Sequence, residues 1–330
     1  MFIIILLFIV GLILIIKGGD IFVDASCFVA EITGIPKMII GATVISLATT
    51  MPEFFVSVIA VSHGAAGLGI GNAVGSVICN TGLILALCII ARPFQTEFPI
   101  FKSKSLIMLV GAVLLLLFSL NRNVSIFEAI ILLVLFLYYL YSNVRYVKKT
   151  QDASRPPALH SEKTPKKQIV WNVCKFFLGA ASIIIGARLL VHNGSLLAVA
   201  LGVPESVVGV TVVALGTSLP ELVTSITAII KKETSMGVGN ILGANILNIT
   251  MILSTCALIS PGGLTIVPEY LTHLQQILPR TLYIDIPVFL AMCAVLMLPT
   301  FLAKGRLFRL QGVLLLVIYI AFIVFLVNNI

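Results

Sequence analysis

Charged residues are scarce in this chain: 10% of its 330 residues are Asp, Glu, Lys or Arg, whereas roughly 25% is usual in soluble domains. Hydrophobic residues make up 59% of the sequence, so the chain must lie in lipid. The six cysteines have no CxxC spacing, the four histidines lie far apart, and no HExxH motif occurs. These absences argue against a zinc or copper centre and an intramembrane hydrolase. We therefore expect no enzyme and no cofactor.

Long apolar runs recur along the whole chain. A helix needs about 20 residues to cross the hydrocarbon core of a bilayer. Ten runs of suitable length lie at about 2–24, 37–62, 68–91, 99–120, 124–146, 168–200, 204–230, 236–259, 282–302 and 307–327. The first run has no basic residues before it and is expected to be a permanent helix. The predicted fold class is an all-α polytopic membrane protein with ten transmembrane helices.

Basic residues are distributed unequally between the connections. When alternate connections are assigned to opposite sides of the membrane, 16 of the 21 Lys and Arg residues fall on one side, and only Arg122 and Arg280 on the other. Basic loops face the cytoplasm, so the pattern predicts a cell-membrane protein with both termini extracellular. The same rule explains the formal charge of +8 without a nucleic-acid partner.

One polar segment divides the chain. Residues 148–167 read KKTQDASRPPALHSEKTPKK, and their charges and prolines are typical of a flexible linker. By the charge rule this linker is cytoplasmic. It separates a first five-helix unit, 1–147, from a second five-helix unit, 168–330.

The two units contain repeated sequence. Residues 41–60 align without gaps on 209–228 with 9 identities in 20 positions. Residues 69–80 align on 237–248 with 6 identities in 12 positions, at the same offset of 168. Because each unit has an odd number of helices, the second must enter the bilayer from the opposite face. The units are therefore predicted to be inverted repeats, a design that commonly binds substrate near the midplane between the repeats.

Two glutamates lie deep inside the repeated segments, each directly after a proline. The sequence reads ATTMPE up to Glu53 and GTSLPE up to Glu221. Proline has no N–H to donate, so we expect both helices to break at Pro52 and Pro220, near the midplane. A carboxylate at this depth is energetically costly, and the repeated segments contain no Lys or Arg. Cations or protons must therefore compensate the two charges.

The polar residues near these breaks are rich in oxygen. Calcium prefers six to eight oxygen ligands in a flexible cage, and the segments can supply that number. The candidate ligands are the carboxylates of Glu53 and Glu221, the hydroxyls of Thr49, Thr50, Thr217, Ser218 and Ser76, the amides of Asn80 and Asn248, and backbone carbonyls near Ser46 and Ala214. This oxygen-rich set favours a hard cation such as calcium.

The segments GVTVVALGTSLPELVTS and GVGNILGANILN, with their copies in the first half, resemble the alpha repeats of the sodium/calcium exchanger family, in the calcium/cation antiporter superfamily. The chain is most similar in plan to the prokaryotic type. The resemblance implies a secondary active antiporter that exchanges calcium for sodium by alternating access, with no resident cofactor. It also implies that the candidate residues above serve as shared calcium and sodium ligands, with Ser76 an additional sodium ligand.

The chain departs from the family pattern at three positions. Asn248 stands where several prokaryotic relatives carry aspartate, Ala244 where a serine is common, and Ala48 where the motif has glycine. The site therefore has two acidic groups rather than three.

Alternating access is expected to arise from sliding of the first and sixth helices across the rest of the protein, which we expect to act as a monomer. A proton-coupled calcium antiporter is an alternative, because a buried glutamate can carry a proton instead of sodium. A passive cation channel is a further alternative, disfavoured by the inverted repeats and the helix breaks.

Overall fold

The computed structural model describes residues 2–153, 165–200, 216–266, 268–271 and 276–329. These residues are mostly helical. In chain order the helices are α1 (Phe2–Thr33), α2 (Lys37–Thr49), α3 (Met51–Ser62), α4 (Ala66–Ala91), α5 (Phe98–Ser119), α6 (Ile126–Ala153), α7 (Lys166–Ala200), α8 (Leu219–Ile230), α9 (Thr234–Ile259), α10 (Thr281–Leu302) and α11 (Arg309–Asn329). Within them, π-helical turns occur at Gly41–Ile45, Asn80–Leu85, Asn248–Ile252 and Thr281–Asp285.

Short strands connect some of the helices. They are β1 (Asn123–Val124), β2 (Leu264–Thr265), β3 (Glu269–Leu271) and β4 (Gln276–Leu278). Strand β1 pairs antiparallel with β2, and β3 pairs antiparallel with β4. The first pair joins the α5–α6 connection to the connection that follows α9. Segments that are about 140 residues apart in the chain therefore contact each other outside the helices as well.

The helices agree with a protein that spans the membrane several times. In the described part of the chain, eight helices are long and apolar enough to cross a bilayer, and α2 and α3 form a further span that is bent by 45°. Helix α8 is shorter, and the predicted run at 204–230 is described only from residue 216 onward. The membrane-spanning, helical character predicted from composition is confirmed.

Some helix ends differ from the apolar runs. Helix α1 continues to Thr33, well beyond the end of its run at about residue 24, and α6 continues to Ala153. Residues 154–164 of the predicted linker 148–167 lie outside the described residues. The assignment of 148–167 as a linker between two units stays a prediction.

Helices α4 and α9 form the centre of the bundle. Within their apolar spans 78% and 89% of the residues are buried, against 22% in α1, α6 and α7. Small residues allow the helix backbones to approach closely, as they do in other membrane bundles. A Cβ added at Gly243 of α9 would lie 2.6 Å from the carbonyl oxygen of Ala42 in α2. Helix α2 is therefore held directly against the buried α9.

Helices α1 and α7 pack against each other as a pair at the side of this centre. A Cβ added at Gly186 of α7 would lie 2.8 Å from the carbonyl oxygen of Gly11 in α1. A Cβ added at Gly179 would lie 2.7 Å from the backbone nitrogen of Phe22. Both helices expose many large apolar side chains, such as Ile13 and Phe177, as expected for surfaces that face lipid. These are the first and sixth predicted spans.

Candidate cation-binding site

The first part of the site lies at the break between α2 and α3. Pro52 occupies the first turn of α3, directly after the bend at Thr50. The Thr50 amide N–H still donates to the Ser46 carbonyl at 2.9 Å, and the Phe54 amide to Thr50 at 3.0 Å. Because proline cannot donate to a carbonyl four residues earlier, the two helices meet at an angle. Glu53 follows this break and is completely buried.

The second part of the site lies at the start of α8. Pro220 occupies the first turn of this helix, and Ser218 is the residue before it, with the Leu222 amide donating to the Ser218 carbonyl at 3.0 Å. Glu221 follows and is also completely buried. Of the predicted ligands in this half, Ala214 lies outside the described residues. Each glutamate therefore lies in the first turn of a helix whose second residue is a proline.

The remaining predicted ligands come from α4 and α9. Asn80 is the first residue of the π-helical turn in α4, and Asn248 is the first residue of the corresponding turn in α9. Both side chains are 0% exposed. The Asn248 side-chain nitrogen donates to the Ala244 carbonyl at 2.9 Å, and its Oδ1 atom has no hydrogen-bond partner among the described residues. A π-helical turn is often associated with a functional site, and here two occur at positions related by the repeat.

One hydrogen bond joins the two halves directly at the carboxylates. The Thr50 hydroxyl of α2 donates to Glu221 Oε1 of α8 at 3.1 Å. Glu53 differs from Glu221, because neither of its carboxylate oxygens has a hydrogen-bond partner among the described residues. The contact places Glu221 beside Thr50, one of the two threonines before Glu53; that these residues bind a cation stays a prediction.

Unpartnered polar atoms concentrate at the predicted site. Fourteen buried side-chain nitrogen or oxygen atoms in the described residues have no hydrogen-bond partner, and nine of them belong to predicted ligands. Those nine atoms are both Glu53 oxygens, Glu221 Oε2, the hydroxyls of Ser76, Thr217 and Ser218, both amide atoms of Asn80, and Asn248 Oδ1. Buried polar groups are normally hydrogen-bonded, and leaving them unpartnered is costly. Most of these atoms are oxygens, which suit a hard cation.

Positive side chains do not neutralise the two glutamates in the described residues. The ion pairs among the described residues join Lys37 to Glu233 at 2.6 Å, Lys231 to Asp24 at 2.6 Å and to Asp20 at 3.7 Å, and Arg280 to Asp285 at 3.3 Å. No group of three or more His, Cys, Asp or Glu side chains that could hold a metal ion occurs in this part of the chain. A cation at the site must therefore be held by the two carboxylates together with neutral oxygens.

Sequence reasoning missed two Asn–Ser pairs beside the glutamates, one partly buried and one fully buried. Asn72 of α4 donates to the Ser57 hydroxyl at 2.9 Å, and Asn240 of α9 donates to the Ser225 hydroxyl at 3.2 Å. Both residues of each pair are related by the offset of 168. That offset was the signal that could have identified them.

A buried tyrosine also supports the first half of the site. Tyr139 of α6 is 0% exposed, and its hydroxyl donates to the carbonyl of Ala42 in α2. Beside it, the amine of Lys104 lies 5.1 Å from the centre of the Tyr139 ring and donates to the Ser142 hydroxyl at 3.0 Å. Helix α2 is therefore held from one side by α9 and from another by α6.

Comparison with known proteins identifies the family of this chain. The profile of the family described as sodium/calcium exchanger protein matches residues 3–145 and 171–328. The sodium/calcium exchanger MaX1 of Methanosarcina acetivorans is 30% identical to this chain, over 97% of each protein. The inner membrane protein YrbG of Escherichia coli is 35% identical over 78% of this chain and 80% of its own length.

A solved structure shows the same fold. The sodium-calcium exchanger NCX_Mj, soaked with 10 mM Na+ and 10 mM Sr2+, matches with a TM-score of 0.80 at 30% identity. The match covers 98% of this chain and 99% of that chain. A family of membrane exchangers also supports the prediction that the chain is not an enzyme. The protein belongs to the sodium/calcium exchanger family, as its repeated motifs predicted.

Proposed function

We propose that this protein is a secondary active antiporter that exchanges calcium for sodium across the cell membrane by alternating access. The observation that carries the proposal is the cluster of unpartnered, buried oxygen atoms around Glu53 and Glu221. Two carboxylates and several neutral oxygens match the ligand preference of calcium. They also suit sodium, which is a hard cation too. Relatives named sodium/calcium exchangers support the choice of ions.

The proposed architecture is ten transmembrane helices in two inverted five-helix repeats, with helices broken by proline near the midplane. Structural features related by the repeat offset support it. Pro52 and Pro220 each lie in the first turn of a helix that carries a glutamate, and Asn80 and Asn248 each begin a π-helical turn. Both termini are extracellular in this arrangement and the 148–167 linker is cytoplasmic. Because one chain supplies both halves of the site, we expect it to act as a monomer.

The proposed ligands are those that the sequence predicted. They are Glu53, Glu221, Thr49, Thr50, Thr217, Ser218, Ser76, Asn80 and Asn248 through their side chains, and Ser46 and Ala214 through their carbonyls. One calcium ion, or sodium ions, would neutralise the two carboxylates. An unneutralised pair is costly to move through a low-dielectric membrane. This cost opposes movement of the protein without cargo and so enforces exchange.

The test is calcium uptake into proteoliposomes driven by an outward sodium gradient. We expect Glu53→Gln and Glu221→Gln each to reduce uptake by about 100-fold or more, because each removes a carboxylate ligand. Glu31→Gln is a matched control, since Glu31 is an exposed acid outside the site. Uptake that survives in either site variant would contradict the assignment.

Proton coupling is the alternative that the same site supports. Neither Glu53 oxygen accepts a hydrogen bond in the described residues, and a carboxyl group in such surroundings can be neutralised by a proton as well as by sodium. Calcium uptake that follows a pH gradient in sodium-free buffer would select this alternative. Uptake that requires sodium at constant pH would select sodium coupling.

A further inference from the structure

Asn240 connects the two halves of the site without being a predicted ligand. Its side chain, on α9, is 0% exposed. The Nδ2 atom donates to Ser225 Oγ of α8 at 3.2 Å, and the Oδ1 atom accepts from Thr49 Oγ1 of α2 at 3.3 Å. Because the Ser225 hydroxyl donates to the Gly237 carbonyl at 3.5 Å, its lone pairs face the Asn240 nitrogen. The amide is thereby oriented with its oxygen toward Thr49.

The Thr49 hydroxyl has a single proton, and two neutral acceptors lie within 3.4 Å of it, with the Glu221 carboxylate a further neighbour. One acceptor is Asn240 Oδ1 at 3.3 Å, and the other is the Ser46 carbonyl oxygen at 3.4 Å. A carbonyl oxygen has two lone pairs, and at Ser46 the Thr50 amide at 2.9 Å already uses one. If the Thr49 proton took the other, the carbonyl would have no lone pair free for a cation.

We propose that Asn240 is a positioning residue that draws the Thr49 hydroxyl proton away from the Ser46 carbonyl and so keeps that carbonyl free to bind the transported cation. The same hydrogen bond turns the lone pairs of the Thr49 oxygen away from Asn240. This inference rests on the proposed function, because it gives Asn240 a role at the same cation site. Asn240 acts through Thr49 and Ser46 and does not contact the ion itself.

The repeat provides an internal comparison. Asn72 stands at the equivalent position in α4, but it donates to Ser57 Oγ at 2.9 Å and to the Glu53 carbonyl at 3.2 Å, both within its own half. The Thr217 hydroxyl, which is the counterpart of Thr49, has no hydrogen-bond partner in the described residues. The hydrogen bond from a site threonine to the asparagine therefore occurs at Asn240 and not at Asn72 in the described residues.

The experiment measures calcium binding to the purified full chain in detergent, as the calcium concentration that gives half of the maximal rise in the thermal unfolding midpoint. We expect Asn240→Leu, which has a similar volume but no acceptor, to raise that concentration about tenfold. In a Thr49→Val background there is no hydroxyl proton to divert, so Asn240→Leu should add less than about twofold. A merely structural role would give the same effect in both backgrounds.

A second variant tests the orientation of the amide. Ser225→Ala removes the acceptor that orients Asn240 and should raise the half-maximal concentration about threefold, while the matched Ser57→Ala should change it by less than about twofold. If Asn240→Leu does not fold, the two serine variants test the proposal by themselves. Equal changes of the half-maximal calcium concentration in Ser225→Ala and Ser57→Ala would overturn it.

The main variant has two outcomes that overturn the proposal. In the first, Asn240→Leu leaves the half-maximal calcium concentration unchanged in the chain that keeps Thr49. In the second, Asn240→Leu changes that concentration equally in the native and the Thr49→Val backgrounds. A native chain that shows neither calcium-dependent stabilisation nor exchange overturns the proposed function and this inference together. A native chain that responds to calcium while Asn240→Leu responds identically overturns this inference alone.

Discussion

The two halves of the site have related sequences but different hydrogen bonds. We call Thr49, Thr50, Glu221 and Asn240 the bridged group, because bonds across the two halves join Thr49 to Asn240 and Thr50 to Glu221. We call Glu53, Thr217 and Ser218 the free group, because their side-chain oxygens have no hydrogen-bond partner in the described residues. At the proposed site a bound cation would compensate the free group most, since no donor among the described residues does so. Equivalent residues in a repeat can therefore contribute differently to one site.

The largest expected effect comes from separating α2 from α9, which would break the bridged group. In Gly243→Val the new side chain would collide with the Ala42 carbonyl, 2.6 Å from the added Cβ. We expect the free energy of unfolding to fall by about 3 kcal/mol or more, because a backbone atom cannot move aside as a side chain can. Thermal unfolding in detergent measures the change.

Gly237→Ala is the control for that variant. Its added Cβ would lie 3.1 Å from the Ser225 carbonyl, a contact that a small shift relieves. Equal losses of stability in the two variants would contradict the view that α2 is held by close approach to α9.

The next largest effect distinguishes the two glutamates. Without cations, Glu53→Gln should raise the free energy of unfolding by about 2 kcal/mol, because it removes a buried carboxylate that has no donor. Glu221→Gln should raise it by about 1 kcal/mol or less, since Glu221 accepts from Thr50. Thermal unfolding in sodium-free buffer with a chelator measures both. A larger gain for Glu221→Gln would reverse the proposed difference between the groups.

A smaller effect separates Thr50 from its counterpart Ser218. In cation-free buffer Thr50→Val should lower the free energy of unfolding by about 1 kcal/mol, because Glu221 loses its donor. Ser218→Ala should leave it within about 0.5 kcal/mol, since the Ser218 hydroxyl has no partner to lose. The same unfolding measurement applies. A loss of stability in Ser218→Ala as large as in Thr50→Val would show that the Ser218 hydroxyl makes a stabilising hydrogen bond.

The smallest effect is expected at the ion pairs away from the site. Lys231 lies 2.6 Å from Asp24, whose side chain is 64% exposed. We expect Asp24→Asn to change the free energy of unfolding by less than about 0.5 kcal/mol, because exposed ion pairs contribute little. A change as large as that in Glu53→Gln would show that charge alone, rather than charge in a buried site, controls stability. The comparison uses the same thermal unfolding measurement.

Apolar run length located most of the described helices. The run at about 99–120 corresponds to α5 at Phe98–Ser119, because in lipid the apolar length is itself the requirement for a span. The apolar run predicted for α1 ended near Asp20 and Asp24, whereas the helix itself continues to Thr33. In the structure Lys231 lies 2.6 Å from Asp24 and 3.7 Å from Asp20, so the helix continues with its charges paired. A contact between residues so distant in sequence leaves no pattern in an apolar run.

The candidate ligands were identified from the same sequence by different signals. Proline before glutamate, repeated at an offset of 168, indicated Glu53 and Glu221, and both are buried together with a bond from Thr50 to Glu221. Asn240 was overlooked although the repeat offset pairs it with Asn72, because residue type alone does not show which groups a side chain contacts. Only their other contacts distinguish the two: Asn240 accepts from Thr49 in the opposite half, whereas Asn72 donates to the Glu53 carbonyl in its own half.

Composition and run length by themselves determined that this protein spans a membrane, and the repeat offset identified the paired acids beside prolines. The resemblance of the repeated motifs indicated the exchanger family. These properties depend on residue type and spacing, which a sequence records directly. Only the tertiary structure decided that Thr50 bonds Glu221 while Ser218 leaves Glu53 free, and that Asn240 faces Thr49. A hydrogen bond requires donor and acceptor within a few tenths of an ångström of the preferred distance, and packing such as Gly243 against Ala42 sets that distance.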